Sequence, residues 1–139
     1  MDIRTSKTKL FLMELIIIIL VFSIAGAVCI DLFAQARLLS VNSTDTTNAM
    51  IEAQSAAEMV RNTNGDPRSV AGFPQAAVSE DGYTVYYDAN WGALPGSEGA
   101  VYQMRVAFSQ EGNLFAADIT VEKAGAALYQ INTVRYMNE

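Results

Sequence analysis

The residue best placed to do chemistry is Glu14, the lone charge within residues 10–30, LFLMELIIIILVFSIAGAVCI. A carboxylate carried to the centre of a spanning helix costs roughly 2.5–3.5 kcal/mol on insertion-based scales, and less near the end of the span, where it reaches an interface or a cation. An acid so placed calls for a partner. That partner is either a cation on another helix or, more plainly, Lys7 or Lys9 of the same chain. Nothing else in the sequence competes for a chemical role. His is absent, which removes imidazole acid–base work and Ser-His nucleophilic activation. The single cysteine, Cys29, lies in the apolar run and reads as a small apolar residue. It cannot form an intramolecular disulfide, and without His it argues against structural zinc. Glu80-Asp81 precedes Gly82 and reads as a solvated loop tip, while Asp66 and Asp81 lack the alternating spacing of an EF-hand loop. The residues therefore predict no enzyme and no cofactor.

The element that must position Glu14 is the apolar run itself. About 20 apolar helical residues cross a hydrocarbon core of roughly 30 Å, so residues 10–30 are long enough to form a transmembrane helix. Arg4, Lys7 and Lys9 precede the run, opposed only by Asp2, and Asp31 follows it directly. Residues 31–139 hold 13 of the 15 Asp and Glu but 6 of the 9 Lys and Arg, a net of −7. Positive residues stay on the cytoplasmic side, which places the N-terminus inside and the rest of the chain outside. The acidic outer part argues against direct binding of nucleic acid. A cleaved signal peptide is the rival, with Ala25-Gly26-Ala27 as a small-residue site. The run is long for that role and carries Glu14. Val28 before Cys29 also makes a poor lipoprotein site.

Four segments follow from the pattern: a basic cytoplasmic leader (1–9), the span (10–30), an amphipathic continuation of the helix (31–62), and an outer loop and sheet (63–139). In the continuation, Ala49, Ala53, Ala56 and Val60 recur at helical steps and form a narrow face suited to close packing on a sheet. We read residues 9–62 as one helix. Its weak stretch is 42–48, NSTDTTN, all poor interior helix formers; the alternative to a continuous helix is a bend, a melted stretch or a restart there, with Ser43 or Asp45 as N-cap. Residues 62–82 read as a connection rich in Gly, Pro and Asn. The period then changes to two, and alternation predicts strands at 83–88, 101–109, 114–122 and 128–136, with Glu111-Gly112-Asn113 as a tight hairpin connection. Tyr83, Tyr86, Tyr87, Trp91 and Tyr102 read mainly as sheet core or its rim. The expected fold class is α+β: a long N-terminal helix packed on an antiparallel sheet of about four strands.

Phe11-Leu12-Met13-Glu14-Leu15-Ile16-Ile17-Ile18-Ile19, after a basic leader and before an amphipathic helix and a small sheet, resembles the type IV pilin and pseudopilin family. The motif covers residues 4–30, and the helix-then-sheet order extends the likeness loosely over the chain. The resemblance implies a pilin-like fold and a bacterial cytoplasmic-membrane protein. It further implies a prepilin peptidase that cuts the leader and N-methylates the new terminus, and extraction of the apolar helix into a filament core. Glu14 would then neutralise the terminal ammonium of an adjacent subunit. The implied processing site is Lys9-Leu10, with Lys9 where the family has Gly, and no Gly or Ala occurs in residues 1–9. Either an atypical peptidase accepts this bond or the leader is retained, in which case Lys9, Lys7 or a cation on a partner helix faces Glu14. The implied partners are the membrane, other pilin-like subunits and their assembly platform. The implied role is a minor pilin or pseudopilin of a pilus, secretion or competence filament. The rival reading is a single-pass anchored domain that binds a ligand or partner outside the membrane without polymerising.

Overall fold

The computed structural model describes residues 2–62, 66, 68 and 72–137. The chain is α+β, one long N-terminal helix followed by an antiparallel sheet, and it divides into two compact units, Met1–Asn42 and Ser43–Glu139. Helix α1 covers Asp2–Asn62 and includes the whole of residues 42–48. Neither Ser43 nor Asp45 therefore caps a second helix. The Ser43 carbonyl accepts the Thr47 hydroxyl at 2.9 Å, a bond compatible with a helix interior. The connection read at 62–82 falls partly on residues 63–65, 67 and 69–71, which lie outside the described residues.

The first unit is helix alone. Every side chain from 4 to 42 is exposed, including Phe22 and Phe33 at 80%.

In the second unit the C-terminal part of α1 packs on one face of a six-stranded antiparallel sheet. Its strands are β1 (Ala77–Ser79), β2 (Gly82–Tyr87), β3 (Ala93–Leu94), β4 (Tyr102–Glu111), β5 (Leu114–Lys123) and β6 (Ala126–Tyr136). The order is β1-β2-β4-β5-β6, and β3 also pairs with β2. The four longer strands lie close to those expected from alternation. β1 and β3 are additions, three and two residues long, too short for a period of two to show in sequence. The register lines up the helix-facing residues in rows: Val85, Met104 and Val121 in one, Tyr83, Val106, Ile119 and Ile131 in the next. Alternation of apolar and polar residues fixes this register, since a slip by one would turn every one of them to solvent. β6 begins at Ala126 rather than 128 because Val121 pairs with Tyr129 while Glu122 pairs with Ala127, leaving Leu128 as the extra residue of a bulge.

Two tight turns complete the meander. Gly112 takes φ 59 at the first central position between β4 and β5, as a type II′ turn requires. Between β5 and β6, Ala124 (φ 51) and Gly125 (φ 80) are both left-handed, the type I′ pattern. An alanine there carries a steric cost of about 1–2 kcal/mol that glycine avoids. Ala124→Gly is therefore expected to raise stability by roughly 0.5–1 kcal/mol after the unfolded-state entropy of glycine is subtracted, read as a higher midpoint in urea.

Candidate functional site

Two groups of residues stand out, one in each unit. In the first unit Glu14 projects from an apolar surface that contains Leu10, Met13, Ile17 and Ile18. Helical geometry explains why its own leader does not neutralise it. At 100° per residue, Lys9 lies about 140° around the helix, and Lys7, on nearly the same face, is about 10.5 Å down the axis. Among the described residues neither forms an ion pair with Glu14. The same-chain pairing considered from sequence is therefore not seen. Arg4 is exposed on the leader beside Lys7 and Lys9, and Leu10 follows at 65% exposure. The other polar side chain of the run, Ser23, satisfies its hydroxyl on the Ile19 carbonyl at 2.8 Å, so it adds little to the cost of a lipid surround. α1 is thus a helix long and apolar enough to span a membrane.

In the second unit, Ala49, Ala53 and Ala56 are fully buried and Val60 is nearly so, with Ala57 beside them. Small side chains let the helix backbone come close to Phe115, Met104 and Ile119, the largest fully buried side chains of the sheet. Polar contacts hold the same face at both ends. Asp45, only 5% exposed, accepts the Tyr102 hydroxyl at 2.7 Å and the Lys123 ammonium at 2.6 Å. Glu52 accepts the Tyr87 hydroxyl at 3.0 Å, and Arg135 donates to the Val60 carbonyl at 3.2 Å. Asp45 lies four residues before Ala49, so it begins the alanine stripe and is its polar member.

Electrostatics follow this geometry. Burial tends to raise the Asp45 carboxyl, but the Lys123 and Tyr102 hydrogen bonds and the Lys123 charge outweigh it and hold the group below its ordinary 3.8. The Asp45 hydrogen bond raises the Lys123 ammonium, and burial together with the Asp45 bond raises the Tyr102 phenol. Burial and the neighbouring Glu52 push Tyr87 strongly up. Tyr83 is pushed up to about 12 by burial, and its hydroxyl finds no hydrogen-bond partner among the described residues.

The aromatic residues build the wall beside Asp45. Trp91 stacks on Tyr102 with centroids 4.1 Å apart and sits 5.6 Å from Tyr87. Its backbone is left-handed, φ 63, in a turn that Asp88 organises by accepting the Asn90 and Gly92 amides at 2.8 and 2.9 Å. A non-glycine residue there costs on the order of 1 kcal/mol, and what it gains is the ring contact that covers Tyr102. Tyr86 alternates to the opposite face of the sheet from Tyr83 and Tyr87.

Among the described residues no cluster of three or more His, Cys, Asp or Glu is placed to hold a metal ion. Sequence reasoning missed Asp45 as a docking residue. The available signal was its position on the alanine stripe, and the polar run around it hid that.

Fold and site together define an α+β chain with one membrane-length apolar helix. Comparison with known proteins finds no matching family model, curated relative or solved structure.

Proposed function

We propose that the chain is a membrane-anchored, non-enzymatic structural subunit of a filament of the type IV pilus, type II secretion or competence kind, a minor pilin or pseudopilin. The observation that carries the reading is Glu14, one carboxylate set just inside an otherwise uncharged run of residues 10–30 and out of reach of its own leader lysines. A plain anchor gains nothing from that acid. A subunit that contacts a cation on a neighbouring helix does. The pilin-like order of a helix followed by a small sheet, with the helix docked through alanines, supports the same reading. In it the N-terminus lies in the cytoplasm, the sheet lies outside, and residues 10–30 move from the bilayer into a bundle of subunit helices.

A second reading, a single-pass anchored binding domain that does not polymerise, draws support from Lys9, which precedes Leu10 where a processed pilin has Gly. Glu14→Leu separates the two. An intramembrane polar contact is worth about 1–2 kcal/mol. The variant should therefore insert normally while its co-purification with neighbouring subunits and platform proteins falls roughly tenfold. Unchanged co-purification and unchanged extraction into a filament fraction would rule out the assembly role.

A further inference from the structure

The two edges of the sheet are managed differently. One edge carries only β1 and β3, three and two residues long, and short strands blunt pairing with other chains. The other edge is β6, eleven residues with nothing paired beyond it among the described residues. The Met137 amide donates to the Asn113 carbonyl on the β5 side at 2.8 Å. Backbone direction alternates along a strand, so Gln130, Asn132, Val134 and Tyr136 turn their N–H and C=O groups to the open edge. β6 lacks the usual protections. It has no Pro or Lys, its bulge lies at its start, and its one charge, Arg135, is directed to the Val60 carbonyl.

We propose that β6 is a self-association edge, on which β6 of a second copy pairs antiparallel about a two-fold axis at Thr133. This inference is independent of the filament reading. The register of β6 is self-complementary about Thr133, and charge leaves this edge open to a second copy. Residues 31–139 carry 13 acidic against 6 basic side chains, so two copies repel over most of their surfaces, yet no Asp or Glu lies between positions 123 and 138. β6 itself carries no carboxylate, and the Asp118 carboxylate beside it on β5 is engaged by the Asn132 amide at 2.6 Å, so two acidic domains meet here at low electrostatic cost. The pairing is isologous. Gln130 faces Tyr136 of the other copy and Asn132 faces its Val134, so every outward N–H meets an outward C=O. Val134 and Tyr136, 45% and 76% exposed, also gain apolar cover across the seam.

The test is sedimentation equilibrium of the full chain in detergent, wild type against Val134→Pro and Val134→Lys. Proline deletes an outward N–H and leaves the β5 ladder intact, and lysine sets a charge at the seam. The wild type should form dimers. Each variant should weaken dimerisation about tenfold or more while its unfolding midpoint, measured at a dilution where the wild type is monomeric, matches that of wild type. In a Cys29→Ala background, Asn132→Cys subunits mixed with Val134→Cys subunits should cross-link to one another on mild oxidation. A monomeric wild type, or a dimer that both variants leave intact, overturns the proposal.

Discussion

Ala53→Arg is expected to unseat the helix from the sheet. Ala53 is fully buried, and its methyl group lies at the centre of the stripe formed by Ala49, Ala56 and Val60 against Met104, Ile119 and Phe115. Arginine adds a long side chain where there is no room and a charge where there is no counter-ion. Overpacking alone costs about 1–3 kcal/mol, and an unpaired buried charge adds several more. The combined loss, on the order of 4 kcal/mol or greater, is a large part of the stability of a small domain. Near-ultraviolet circular dichroism should lose the Trp91 and tyrosine signals at a temperature where the wild type keeps them. Ala53→Ser, nearly the same size, should lose far less. If Ala53→Arg unfolds with the wild-type midpoint, the helix does not dock through this face.

The second large effect belongs to Asp45. Removing its carboxylate leaves the Tyr102 hydroxyl and the Lys123 ammonium without their acceptor. Hydrogen bonds to charged groups contribute about 1.5–3 kcal/mol in mutational series, so loss of the buried Tyr102 bond should cost Asp45→Ala roughly that much, with the solvent-facing Lys123 end adding little. Asp45→Asn keeps an oxygen for Tyr102 but gives up the charge, and should fall between the two. The pH dependence has a definite sign. The folded Asp45 carboxyl titrates below its ordinary 3.8, so its stabilisation is full above that value and disappears as pH falls through the folded one. Urea midpoints of wild type and Asp45→Asn should therefore differ at pH 6 and begin to converge only as pH falls below about 4. A constant difference across that range would mean that the carboxylate charge plays no part in docking.

Asp45 also shows where sequence stops being informative. The run of residues 42–48 has poor helix propensity at every position, up to about 0.7 kcal/mol each relative to alanine, which argues locally for a break. The helix runs through it, as the single-helix reading expects, and what the sequence does not show is that Asp45 within it meets partners 57 and 78 positions away, Tyr102 and Lys123. No local pattern encodes such distances. The alanine stripe was legible because a repeat of three and four residues is a local signal. The longer strands were legible because alternation of Tyr102, Met104 and Val106, or of Phe115, Ala117 and Ile119, reports one buried face. β1 and β3 were not legible, because they exist only as short partners of β2. Glu14 was visible at once as a charge out of place. Its separation from Lys7 and Lys9 became plain only when residues 4–30 were seen as one helix.

The most direct test of the central claim is fractionation of the full chain in its native cell, with mass determination of its N-terminus. The account predicts one pool that stays with the bilayer after alkaline carbonate, and a second that sediments as a polymer once the cells are sheared without detergent. In the polymer pool the terminus is either Met1 or a methylated Leu10, and Glu14→Leu depletes that pool. A chain found only as a bilayer monomer, or released as a soluble domain cut after residue 27, would contradict it.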